Sequence, residues 1–121
     1  MKYEITIPMN ENYVHIRLLK PMNLTLAIEL LGELLRLQKE QGAKKFLLDH
    51  RDFGTNTSPV DDYEIAYEKI PETGFDRSSR VALLKSPSDE AHDFIETVGR
   101  NAGYSVSIFN DIDVAKKWLY E

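Results

Sequence analysis

An α/β fold, an open mixed sheet of about five strands with four helices, is predicted by two rhythms and their punctuation. The first nineteen residues alternate apolar and polar with period two. Beyond residue 20, short apolar runs alternate with stretches of helical length, and Asn, Ser-Pro and Gly fall at the joints. The expected element order is β-β-α-β-α-β-α-β-α.

The chain opens with Tyr3, Ile5 and Ile7 set against Glu4 and Thr6, the pattern of a strand buried on one face and running to Pro8. A turn at Asn10-Glu11-Asn12 leads into Tyr13 to Leu19, where Val14, Ile16 and Leu18 oppose Tyr13, His15 and Arg17. These two strands form a hairpin, which Pro21 closes. Asn23 can cap a helix that runs to Gln41, and Gly42 supplies the left-handed residue that ends it. In that helix Leu24, Ala27, Ile28, Leu31, Leu34 and Leu35 form one apolar stripe, and Leu26, Leu30 and Leu37 form a second beside it. The arc spans roughly 200°, against roughly 100° for packing on one side. Packing between the sheet and another helix accounts for it, and Leu26, Leu30 and Leu37 are carried as an alternative dimer or apolar-ligand surface.

Lys44 to Asp49, built on Phe46-Leu47-Leu48, reads as a central strand buried on both faces. A polar loop follows from His50 to Thr57. Val60 to Pro71 reads as a helix with Val60, Tyr63, Tyr67 and Ile70 on one stripe, broken at Thr73-Gly74. Arg80 to Lys85 is the next buried strand. Ser88 to Asn101 is helical through Phe94, Ile95 and Val98, Tyr104 to Phe109 is the last strand, and Asp111 to Tyr120 closes the chain as a helix. Alternation of strand and helix after residue 20 implies parallel pairing through right-handed crossovers.

With 121 residues, 42% hydrophobic and 29% charged, one globular domain is expected, with no internal boundary or repeat. The absence of cysteine excludes disulfides, thiolate nucleophiles, Cys-ligated zinc and iron–sulfur clusters. A net charge of −5 argues against nucleic acid as a partner, because phosphate neutralisation requires a basic surface. His15, His50 and His92 share no ligand spacing, and His92 with Glu96 makes half a metal site at most, so no metal and no cofactor are expected. No segment approaches the ~20 apolar residues of a membrane span, and no secretory signal opens the chain, so cytoplasmic residence is expected.

Ser58-Pro59-Val60-Asp61 and Ser86-Pro87-Ser88-Asp89 each combine a serine cap, proline at the first helical position and an acid at the third, and Asn110-Asp111-Ile112-Asp113 repeats the logic. All three belong at the carboxyl edge of the strands, where open α/β sheets usually bind ligands. Capping explains them, with Ser58 as a candidate phosphoacceptor whose phosphate would meet Asp61 and Asp62. Asp49, His50 and Arg51 leave the third strand at the same edge. Asp49 and Arg51 are expected to tie the loop to a neighbouring helix. Arg51 can also grip a carboxylate or phosphate, and His50 can serve acid–base chemistry in an enzyme built on Asp49, His50 and Arg51. Phe53, Tyr63, Tyr67 and Phe75 belong to the core or to the rim of a pocket against the second helix.

The strand Phe46-Leu47-Leu48-Asp49 with Arg51, the strand Arg80-Val81-Ala82, and the C-terminal pattern Arg100-Asn101-Ala102-Gly103, Val106, Ile108-Phe109, Asp111, Ala115 and Trp118-Leu119 resemble the small bacterial SpoIIAA-like proteins of the STAS superfamily. The resemblance spans nearly the whole chain. The anti-sigma-factor antagonists of that superfamily carry a phosphoserine in an Asp-Ser-Ser-Gly type segment after the third strand, whereas Gly54 to Asp62 holds hydroxyls without that motif. The resemblance implies a regulatory or ligand-sensing module without catalysis of its own. The expected protein is thus a non-enzymatic, homodimeric STAS-like domain that meets a protein partner or small molecule through residues Asp49 to Tyr67. A carrier or sensor of an apolar small molecule is the alternative.

Overall fold

The computed structural model describes residues 2–9, 11–53, 58–87 and 93–121. Among these residues one five-stranded sheet forms from β1 (Tyr3–Thr6), β2 (Val14–Leu18), β3 (Lys45–Asp49), β4 (Arg80–Leu84) and β5 (Ser105–Phe109), ordered β1-β2-β3-β4-β5. β1 pairs antiparallel with β2, and the remaining neighbours are parallel. This is the expected open mixed α/β sheet.

Because the strands follow one another in chain order, every crossover from β2 onward steps the same way across the sheet. Right-handed connections therefore place the helices between the strands on one face. Val14, Ile16, Leu18, Phe46, Leu48, Leu83 and Val106 point to that face and pack with the leucines of α1 (Leu24–Gln41). Leu47, Ala82 and Leu84 point the other way, against Ala115 and Leu119 of α5 (Ile112–Leu119). A strand order that never reverses has no topological switch point of the kind at which open α/β sheets usually bind ligands.

Local sequence explains α1 well. Asn23 accepts a hydrogen bond from the Leu26 N–H at 2.8 Å, and Gly42 ends the helix at φ 66° with its N–H on the Gln38 carbonyl. Leu26, Leu30 and Leu37 are 4, 2 and 2% exposed. The alternative dimer surface is thereby corrected: the second stripe faces the sheet and neighbouring helices, and the core takes up most of the arc, with Ile28 left 42% exposed.

The helix expected from Val60 to Pro71 exists as α2 (Pro59–Glu64), a π-helical turn (Ile65–Lys69) and α3 (Ile70–Thr73), read without a break. Of the expected stripe, Ile70 packs against the core, whereas the other three members turn outward. Val60, Tyr63 and Tyr67 are 76, 54 and 38% exposed, with the two tyrosine rings 4.7 Å apart, while Asp62 and Ala66 are buried. The inward position of Asp62 sets the facing of the first turn, and the wider π turn then shifts which residues meet the core.

α4 (Asp93–Asn101) protects the free edge of β5. Glu96 accepts the Ile108 N–H at 2.6 Å, and Arg100 donates to the Val106 carbonyl at 3.0 Å and the Ser107 hydroxyl at 2.8 Å. Side chains thus replace the missing neighbour strand on an edge that otherwise invites association. Residues 54–57, the Ser88-Asp89 cap and His92 lie outside the described residues. No helix among the described residues is long and apolar enough to cross a membrane.

Candidate functional site

Alternation along β3 separates the expected cluster. Asp49, the last strand residue, points to the α5 face, and His50 points to the opposite face, toward α1 and α2. Asp49, His50 and Arg51 therefore do not converge on one point. Arg51 folds back onto Asp49, its backbone N–H and Nε donating to Oδ1 at 3.2 and 3.0 Å and its Nη2 to Oδ2 at 2.8 Å. The fourth contact comes from His15 on β2, whose Nε2 lies 3.0 Å from Asp49 Oδ2. The anchor expected on a helix is thus made to a strand.

A carboxylate only accepts, so Nε2 of His15 carries the proton and Nδ1 keeps the lone pair when the ring is neutral. Burial alone would raise the Asp49 pKa. The hydrogen bonds from His15 and Arg51 outweigh burial and hold the carboxyl well below the usual carboxylate range. Beside this group, Arg17 donates to Asp52 at 2.8 Å and lies 4.0 Å from Glu4. Each of these guanidinium groups already has a carboxylate, so an incoming anion would have to displace one. Among the described residues no hydroxyl hydrogen-bonds to His15, so the dyad lacks an assembled nucleophile.

Sequence reasoning missed His15. The signal was present in the alternation that puts His15 and Arg17 on the outer face of β2, together with the parallel register pairing Arg17 with Asp49. Only the register shows that His15 reaches Asp49.

Ser58 caps α2 as expected. Its hydroxyl accepts the Asp61 N–H at 3.1 Å, and Asp61 accepts the Ser58 N–H at 3.0 Å. Phe53 is half-buried at the loop. Asp111 caps α5, one residue later than the Asn110 position that the repeated pattern implies, accepting from the N–H groups of Asp113 and Val114. Among the described residues no group of His, Asp and Glu side chains is placed to hold a metal.

A second feature lies between the layers. A cavity of about 140 Å³ sits on the α1 face of the sheet, walled by Leu30, Leu31 and Leu34 of α1, Ala66 of the π turn, Leu48, Val81 and Leu83 of the strands, and Phe75. Its lining reaches the surface at half-buried Met22, Ile65 and Ile95. Polar side chains stand at its two ends. His50 and Asp62, both buried, mark the carboxyl edge of the strands, while Ser79 and Tyr104 precede β4 and β5 at the amino edge. Of the expected pocket residues, Phe75 and His50 line this space, and the outward Tyr63 and Tyr67 do not. Leu30 lines it also, while Leu26 and Leu37 do not. An apolar space of this size left empty costs a fold about 3 kcal/mol at ~24 cal/mol per Å³.

Compared with known proteins, the chain matches no protein-family model, and no curated protein matches it.

Proposed function

We propose that this domain is a non-catalytic binding module whose ligand is a small, mainly apolar molecule held between the sheet and its helices. The cavity carries this assignment. It is large enough for a six- or seven-atom ring compound, by analogy with the roughly 150 Å³ engineered cavities that take up benzene. The STAS-like resemblance, which implies ligand sensing or regulation in a bacterial cytoplasmic domain, supports the same role. The π turn adds to it, because such bulges concentrate at functional sites and this one puts Ala66 against the cavity wall. The Asp49 group then belongs to the scaffold.

Native mass spectrometry of protein purified from its own host tests the proposal. The expected spectrum holds a small stoichiometric mass that is lost on denaturation, and that is missing from Ala66→Leu, which fills the cavity. A bare chain that also takes up no added small apolar compound contradicts it.

A second role, regulation through self-association, is favoured by the exposed stripe of Val60, Tyr63 and Tyr67, whose two tyrosine rings lie 4.7 Å apart. Light scattering distinguishes the two: a dimer dispersed by Tyr63→Ser with Tyr67→Ser supports it, and a monomer at high concentration opposes it.

A further inference from the structure

Among the described residues, the side chain of Tyr104 brings to the cavity wall a polar atom that the fold leaves unmatched. Tyr104 is 8% exposed, it lines the cavity, and its hydroxyl is fully buried without a hydrogen-bond partner. Its ring is otherwise well fixed, with Phe75 at 6.2 Å between centroids and the Arg77 guanidinium 4.6 Å above the ring. Position in the sheet supports the anchoring. Arg80 and Ser105 are partners in register, so Ser79 and Tyr104, one residue earlier on each chain segment, stand side by side at the same end of the space.

A phenol hydroxyl removed from water and given no partner costs free energy comparable to a lost hydrogen bond, and that cost persists in the empty protein. Phenylalanine would pack the same ring without it. Ser79, whose hydroxyl accepts the Gln38 amide at 2.5 Å, makes no hydrogen bond to the Tyr104 hydroxyl.

Resting on the assignment of the cavity as the binding site, we propose that the ligand is amphiphilic: a small hydrocarbon body bearing one oxygen that hydrogen-bonds the Tyr104 hydroxyl at the amino edge of the sheet. Phenols, short alcohols and ketones belong to this class, and pure hydrocarbons do not. The hydrocarbon part lies against Leu30, Leu34, Leu83 and Phe75, and the oxygen turns toward β5. The site thereby discriminates in the manner of pockets with a buried polar group, which reject an analogue that leaves that group unpaired.

Titration calorimetry with phenol and toluene, which have equal numbers of heavy atoms, tests this on the intact protein and on Tyr104→Phe. In the intact protein phenol binds at least as tightly as toluene, although its hydroxyl is harder to remove from water. Tyr104→Phe weakens phenol about tenfold and leaves toluene within about threefold, one hydrogen bond's contribution. Should both compounds bind and the variant shift neither, the hydroxyl anchor is overturned while the cavity assignment stands. If neither binds either protein, both are overturned. Should the variant fail to fold, the order of the two affinities in the intact protein decides: toluene tighter than phenol overturns the anchor.

Discussion

His15 and Asp49, thirty-four positions apart on the adjacent parallel strands β2 and β3, meet at 3.0 Å, and the carboxylate is held between His15 and Arg51 at the end of β3. A buried carboxylate with several charge-assisted bonds is costly to neutralise, which sets a dependence on pH. The folded pKa of Asp49 lies below its unfolded value, so its contribution is present above the ordinary carboxyl pKa of about 4 and is lost as pH falls toward the depressed folded value.

Asp49→Asn should accordingly destabilise the domain by about 2 kcal/mol or more near neutral pH, the scale of hydrogen bonds to a charged group. The gap between variant and parent should narrow below about pH 4. Urea unfolding across pH checks this, and a gap constant with pH would contradict it.

Two helical glycines should respond oppositely to alanine. A Cβ on Gly32 of α1 meets nothing within 4 Å, so Gly32→Ala should add roughly 0.5–1 kcal/mol of stability through helix propensity. A Cβ on Gly99 of α4 would stand 2.6 Å from Cγ1 of Val106, a stiff β-branched side chain on β5. Gly99→Ala should therefore cost about 1–3 kcal/mol in thermal or urea unfolding despite its better propensity. Val106→Ala should recover part of that cost, a coupling that a double-mutant cycle reads directly.

Glu96 guards an edge. Glu96→Ala leaves the Ile108 N–H without its acceptor, at a cost of about 1–3 kcal/mol if no water replaces it. It also opens β5 to strand pairing, so the rate of aggregation near the unfolding midpoint should rise. Turbidity against temperature measures it, with Glu96→Gln expected to lie between the two.

Ser58→Ala should cost about 1 kcal/mol by removing one half of the capping box, and Ser58→Asn should retain most of it, because asparagine caps as well as serine. Differential unfolding of the two variants tests whether the hydroxyl acts as a cap.

Much of the fold was legible because its determinants are local. Alternation in β1 and β2, the Asn23 and Gly42 ends of α1, and the Ser58 cap are short-range chemistry, and each stands where the sequence places it, while the cap of α5 falls one residue later than expected, on Asp111. The facing of the second helix was not legible. Val60, Tyr63 and Tyr67 form a persuasive core stripe at helical spacing, yet Asp62 and Ala66 take the inner side, and neither the inward carboxylate nor the π turn has a local signature. His15 meeting Asp49 depends on register between segments, and the cavity depends on how α1, the π turn and the sheet fit together. The carboxyl-edge rule presumes a reversal of strand order, whereas β2 to β5 run in sequence.

The space walled by Leu30, Ala66, Leu83 and Phe75 should accept an apolar guest. Diffraction from crystals held under xenon measures this without the need for chemical fit, since xenon enters dry apolar cavities. Xenon density is expected inside that space, reduced or abolished in Ala66→Leu. Side chains closed over the space, or a chain of ordered waters through it with no xenon, would contradict it.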